Sequence, residues 1–288
     1  MGVSSVIMQM NDPSLWRSTL PHPDKGGHKY DRGHLIVLGG TDMTGAARLA
    51  SEAAMRIGCG VCTIVSDPSV KDIYLKGAPH VMFEPYEQLR KFPLHLRDSR
   101  RTAFIMGPGA GQHDDEALRQ AVLGAVATRK PAVLDADALN VFADYPARLF
   151  SALNGHCVLT PHEGEFSRLF PDLEGSREKR AVAAARQSGA VMLLKGAQTV
   201  IATPQGDLVV NDHASPWLAT AGSGDVLAGI LGGLLAQGMD VPMAAAAAVW
   251  MHGEAALRYG PGLTAPDIIQ ELRGVLANLL SQKQVGER

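Results

Sequence analysis

His34-Leu35-Ile36-Val37-Leu38-Gly39-Gly40 is an apolar run of strand length that stops on two glycines. It is followed closely by Thr44–Gly58, in which Ala46, Ala47, Leu49, Ala50, Ala53, Ala54 and Ile57 recur at helical spacing. Arg48, Glu52 and Arg56 fall on the opposite face. A short run with no polar alternation is buried on both sides, and an amphipathic helix directly after it covers one of those sides. Val61–Val65 then reads as the next strand. This β-α-β order calls for parallel strands and a covered sheet.

The same alternation continues along the chain. Ala103–Met106, Ala132–Leu134, Cys157–Leu159 and Val191–Leu194 read as strands; Asp114–Thr128 and Arg177–Gln187 read as helices. Val200–Ala202 and Leu208–Val210 flank Thr203-Pro204-Gln205-Gly206-Asp207 and predict a β-hairpin at an antiparallel edge. From Gly224 to Leu280 the pattern is almost entirely helical. The expected fold is a three-layer α/β domain, a mostly parallel central sheet with helices on both faces. It spans residues 31–288, with residues 1–30 as an N-terminal arm. Those 30 residues are too few for a further domain.

Composition narrows the class. Of the 288 residues, 46% are apolar and 19% charged, with a formal net charge of −2. A general nucleic-acid binder would be basic, so no nucleic-acid partner is expected. Cys59, Cys62 and Cys157 make an odd count without a disulfide framework, which suits a reducing compartment. Cys59-Gly60-Val61-Cys62 has no second cysteine pair to complete a zinc site. Met1–Met10 lacks the basic and then apolar regions of a secretory leader. The apolar stretch Val226–Leu257 is broken by Gly238-Met239-Asp240 and Pro242, so it reads as two buried helices rather than a membrane span. A cytoplasmic protein is expected.

Five of the strand ends carry glycine or polar residues: Gly39-Gly40, Gly107-Pro108-Gly109, Asp135–Asp137, Thr160–Glu165 and Lys195-Gly196. In open parallel sheets, ligands bind along the carboxyl edge. The sharpest signal is Thr220-Ala221-Gly222-Ser223-Gly224-Asp225 ahead of the helical run from Val226. Glycines there let the backbone turn its amides inward, and the helix start adds free N–H groups and the positive end of its dipole. Asp225 would lie in the first turn. A carboxylate beside an anion site either caps the helix or accepts a proton, and Ser or Asn would cap without repelling the anion. No Gly-Lys-[Ser/Thr] follows these glycines, and the first strand is not followed by the dinucleotide fingerprint of dehydrogenases.

Taken in order, Gly45-Ala46-Ala47, Met106-Gly107-Pro108-Gly109, Leu134-Asp135-Ala136-Asp137-Ala138-Leu139, Thr160-Pro161-His162-Glu163-Gly164-Glu165, Leu194-Lys195-Gly196-Ala197-Gln198-Thr199 and Gly222-Ser223-Gly224-Asp225 make a set. The chain resembles, from about Arg32 to Glu254, the carbohydrate kinase-like domain of NAD(P)H-hydrate dehydratases in the ribokinase-like superfamily. The resemblance implies nucleotide-dependent removal of water from hydrated NADH or NADPH, with ADP or ATP as co-substrate and Mg2+ as cofactor. It implies that Ala46, Gly109, His162 and Asp225 touch the hydrated cofactor. It also implies that Lys195, Gly196, Ala197, Gln198, Thr199, Gly222, Ser223 and Gly224 serve the nucleotide. A homotetramer, and a separate epimerase acting on the same substrate pool, are further implications.

The residues themselves leave alternatives. His162 reads as a substrate contact or as a loop histidine satisfied by Glu163 or Glu165. Lys195 reads as a phosphate contact or as a lysine reaching solvent. Asp135 and Asp137 could assist Mg2+ through water, or Asp137 could cap the turn at Ala138–Phe142; no direct protein metal cage is expected. His252 and Glu254, on an alanine-rich helix, read as packed or hydrogen-bonded. Trp16 and Trp250 read as packing residues, and Trp217 as a possible border of the nucleotide site. Two other functions fit the glycine loop: an alcohol kinase of the same superfamily acting on a vitamin precursor, and a nucleotide sensor without catalysis.

Overall fold

The computed structural model describes residues 8–111 and 113–285. The first seven residues, part of the segment read above as an arm without a leader, lie outside the described residues. Ten strands form a single sheet: β1 Met8–Met10, β2 His34–Leu38, β3 Val61–Ser66, β4 Met82–Pro85, β5 Ala103–Met106, β6 Ala132–Leu134, β7 Cys157–Leu159, β8 Val191–Leu194, β9 Thr199–Ala202 and β10 Leu208–Asn211. Their order is β1-β10-β9-β8-β7-β6-β5-β2-β3-β4. Among the described residues only β9 runs against its neighbours.

Each central strand is buried on both faces, and successive residues feed opposite layers, as a two-residue period requires. Leu35 and Val37 face helices Thr44–Arg56, Ser223–Ala236, Val241–Tyr259 and Ala265–Val285. Ile36 and Leu38 face helices Asp115–Val126, Glu163–Leu169 and Arg177–Ser188. The expected three-layer α/β architecture is the observed one.

Two parts differ from the sequence reading. The β9–β10 hairpin is present, but β10 is not an edge, because β1 pairs with it in parallel, Met8 to Leu208 through Met10 to Val210. Past β1, Trp16 is fully buried, its indole N–H donates to Asn11, and its ring sits 5.9 Å from that of Trp250. At the other edge β4 appears where no strand was expected.

The chain runs outward through β2, β3 and β4, then returns to the other side of β2 with β5. That reversal opens a crevice between the carboxyl ends of β2 and β5. The walls there touch. A Cβ on Gly40 would lie 1.7 Å from the Gly109 carbonyl oxygen, so the two strand-end loops approach as only glycine allows. Gly40→Ala should therefore destabilise the protein by about 1–3 kcal/mol, the usual cost of forcing atoms into a packed region. Urea unfolding measures it, and a variant as stable as the parent would show that the loops can part freely.

Candidate active site

Because β2, β5, β6, β7 and β8 are parallel, their five glycine or polar ends meet on one edge of the sheet. At the crevice, Gly109 adopts φ +64°, and a Cβ on it would lie 3.0 Å from the Ala46 methyl and 2.5 Å from the Met43 carbonyl oxygen. Ala46 and Gly109, 63 positions apart in the chain, thus form one small-residue wall.

The glycine loop forms the roof. Gly222, at φ +85°, turns the chain into helix Ser223–Ala236. No side chain caps this helix start. Asp225 lies in the first turn but leaves the cap unfilled, so its carboxylate is not serving as a helix cap. The first amides of the helix carry the local positive potential.

Lys195 lies beneath the roof. Its Nζ is 2.7 Å from Asp135 Oδ1, and Asp135 is only 2% exposed. Burial alone would lower the pKa of the Lys195 ammonium. The Asp135 carboxylate outweighs that, with help from Glu165 and Asp225, and the net direction is upward. Lys195 therefore carries its charge at neutral pH while bonded to a carboxylate, and does not extend freely into solvent. Gly224 lies close by, since a Cβ on it would sit 3.6 Å from Lys195 Nζ.

Asp225 completes this charged group. Burial first, and then the Asp135 and Asp137 carboxylates, push its pKa from 3.8 up to about 6, against the pull of Lys195. Between Asp135 and Asp137, Ala136 holds φ +44°, a strained conformation for a residue with a side chain. The strained turn sends Asp135 to Lys195 and Asp137 to the Gly111 amide, at 2.9 Å from Oδ2. Asp137 is also the first residue of the short helix Asp137–Asn140.

His162 is the N-cap of helix Glu163–Leu169. Its Nδ1 accepts from the amides of Gly164 at 3.0 Å and Glu165 at 3.3 Å, and the Glu165 carboxylate accepts from the His162 amide in return. This is the capping-box arrangement with histidine as cap. Nε2 lies 3.5 Å from Glu165 Oε1, so the pairing with Glu165 is real, yet 57% of the side chain stays exposed at the strand end. His162 and Lys195 pair across β7 and β8, the Lys195 amide donating to the Pro161 carbonyl.

After Lys195, the stretch Gly196-Ala197-Gln198 is an exposed turn, and Thr199 is buried with its hydroxyl bonded to the Gly196 carbonyl at 3.2 Å. Arg177 supports this turn from below. Its guanidinium donates to the carbonyls of Leu194 and Lys195 and pairs with Glu163 at 3.6 Å. Arg180 pairs with the same Glu163. Sequence spacing gave no sign of Arg177, because it reaches the turn from a neighbouring helix. Trp217 stands exposed on the segment leading into the glycine loop.

Other readings resolve simply. Cys59, Cys62 and Cys157 are free and buried, and burial raises all three thiols. They are packing residues, not nucleophiles. Glu254 bonds His213 and Arg258, and His252 is hydrogen-bonded in the interior. Among the described residues no group of three or more His, Cys, Asp or Glu side chains is placed to hold a metal, and no helix is long and apolar enough to cross a membrane.

The edge thus joins a half-buried carboxylate with raised pKa, a helix start able to receive an anion, and a lysine-bearing turn beside it. Known proteins resemble this chain over nearly its whole length. The family profile described as NAD(P)H-hydrate dehydratase matches residues 34–273. The chain belongs to the NAD(P)H-hydrate dehydratase family. It is 37% identical over 267 residues to the ADP-dependent (S)-NAD(P)H-hydrate dehydratase of Neisseria meningitidis, covering 88% of this chain and 83% of that one. A bifunctional NAD(P)H-hydrate repair enzyme from Thermosynechococcus vestitus is 37% identical over 278 residues; the match takes in 93% of this chain but only 53% of that enzyme, about half its length. The ADP/ATP-dependent NAD(P)H-hydrate dehydratase of Bacillus subtilis, crystallised with ATP and Mg2+, superimposes with a TM-score of 0.82 at 31% identity, covering 96% of this chain and all of that one.

The charge on Asp225 has a measurable consequence. Its folded pKa, about 6, lies above the ordinary 3.8, so the native state keeps a proton that the unfolded chain releases. The stability this contributes is complete below about pH 4 and is lost as pH rises through about 6. Asp225→Asn should be more stable than the parent by about 1–2 kcal/mol at neutral pH, and the gain should vanish near pH 4. Urea titrations at the two pH values measure this; an equal difference at both would mean that Asp225 ionises freely.

Proposed function

We propose that this chain dehydrates hydrated NADH or NADPH back to the reduced cofactor, using ADP or ATP as phosphoryl donor. The carrying observation is the raised Asp225 carboxylate in the first turn of an anion-binding helix start, beside Lys195. In this reading the terminal phosphoryl group lies against the Gly222–Gly224 amides, with the KGAQT turn, Lys195–Thr199, along the nucleotide. Ala46 and Gly109 form the wall for the hydrated ring, and His162 presents its exposed face to it.

Chemistry follows from these positions. Asp225 takes the proton of the C6 hydroxyl as its oxygen attacks the terminal phosphorus, and AMP leaves if ADP is the donor. The helix-start amides stabilise the charge that spreads over the transferring group. The resulting phosphate ester breaks at C6, driven by the ring nitrogen. Loss of the neighbouring C5 proton then restores the double bond. Lys195 stays charged and, with Asp135, holds the floor of the site in place.

Mg2+ fits as a partner of the nucleotide, since it keeps most of its waters and binds phosphate oxygens with one or two carboxylates. Asp135 and Asp137 would hold it through water. Its contribution would be to neutralise phosphate charge. A homotetramer, and a separate epimerase feeding the same pool, belong to the same reading. The alcohol kinase alternative would leave a stable phosphoester as product, and a sensor would leave its nucleotide intact.

Two variants test the assignment. Asp225→Asn should lose about 10²–10⁴-fold in turnover of hydrated NADH with nucleotide affinity unchanged or tighter, because a general base is removed and a repulsive charge with it. In the parent, kcat/KM should rise with pH through about 6, as the base must be ionised. A variant within a few-fold of the parent would exclude Asp225 as base. For His162, the Asn variant keeps an N-cap while removing the ring. It should raise KM for the hydrated cofactor and leave the nucleotide Kd unchanged; equal loss of both would make His162 purely a cap.

A further inference from the structure

The chemistry above makes no use of His252, although its imidazole lies directly behind the glycine loop. His252 sits on helix Val241–Tyr259 and is 7% exposed. Its Nε2 is 3.0 Å from the Ser223 carbonyl oxygen and 3.1 Å from Ser223 Oγ. A carbonyl can only accept, so Nε2 must carry the hydrogen. Burial first, and the Lys195 charge after it, lower the His252 pKa to about 4 despite the bond to Ser223. The ring is therefore a neutral imidazole with a committed donor. Ser223 is both the centre of the Gly222–Gly224 turn and the first residue of the helix whose amides face the anion.

The same helical turn holds the chain entering that loop. A Cβ on Gly253 would lie 1.8 Å from the His213 carbonyl oxygen, so the helix and the 213–214 backbone are in direct contact. The His213 ring stacks on Trp250 with centroids 4.6 Å apart, and its Nε2 hydrogen-bonds Glu254 at 2.9 Å. Asn211, just ahead, is bonded by Asn11, which also donates to the Ala246 carbonyl of that helix. A single long helix therefore fixes the approach to the glycine loop through Ala246, Trp250, Gly253 and Glu254 and, through the His252 side chain, the loop itself. Such loops bind anions well only when their amides are already aimed.

We propose that His252 is a positioning residue for the phosphate-binding turn, its Nε2–H holding Ser223 so that the Gly222–Gly224 amides are aligned for the phosphate tail of a nucleoside di- or triphosphate. This rests on the nucleotide reading given above.

The test is titration calorimetry of the full chain with ADP and with ATP, each with Mg2+ and without the hydrated substrate, beside a thermal melt of each variant. Glutamine can place an amide N–H where Nε2–H stands; leucine cannot. His252→Leu should weaken nucleotide binding by about tenfold or more while His252→Gln stays within about threefold, the size expected from one lost buried hydrogen bond. The two variants should melt at similar temperatures. If His252→Leu does not fold, His252→Asn, whose amide stops one bond short of Ser223, takes its place. Equal affinities in parent and leucine variant, or a glutamine variant as weak as the leucine one, would overturn the proposal. A parent that binds neither nucleotide would overturn the nucleotide reading itself.

Discussion

In the proposed reading, a carboxylate held where phosphate charge must also come is the constraint on which this site is arranged. Asp225 stands in the first turn of a helix that offers its positive end to an anion, and burial first, then the Asp135 and Asp137 carboxylates, raise its pKa. Three carboxylates near one another tend to expel one charge, either as a bound proton or by gathering cations. Lys195 answers part of that demand by pairing with Asp135 and leaving Asp225 as the group that takes up a proton near neutrality. A group that exchanges its proton near working pH suits a general base.

The fold serves this arrangement by bringing distant strand ends together. Lys195 and Asp135 are 60 positions apart in the chain and meet because β6, β7 and β8 are neighbours and parallel. The strained Ala136 turn separates two adjacent acids into two directions. Behind the glycine loop, the alanine-rich helix Val241–Tyr259 provides a close-packed support: small residues let it approach the sheet and the loop, and such packing resists displacement.

Much of this was legible in the sequence. HLIVL, AFIM and VMLL announce buried strands because no polar residue interrupts their apolar runs, and the glycines after the first two and Lys195-Gly196 after the third mark the candidate site's edge. The edges were harder to read. Met82–Pro85 carries Glu84 and Pro85 and lacks an apolar run, while Met8–Met10 is a strand of three exposed side chains that exists only through its pairing with Leu208–Val210. The site residues were named by motif, but their partners were not. That Lys195 is bound to Asp135, and that His162 caps a helix through Nδ1, depends on strand order and on a ring orientation that spacing does not carry. Arg177 was missed for the same reason: its target is a pair of backbone carbonyls, which have no residue signature.

The central claim is that the hydroxyl oxygen at C6 is itself phosphorylated and leaves with the phosphate. Hydrated NADH prepared in ¹⁸O-enriched water carries the label at that hydroxyl, and mass spectrometry of the inorganic phosphate released during turnover with ADP or ATP locates it. The account predicts one labelled oxygen in each phosphate, formed in equal amount with reduced cofactor. Label recovered in water, with unlabelled phosphate, would mean that water is expelled directly and that phosphoryl transfer to the substrate does not occur.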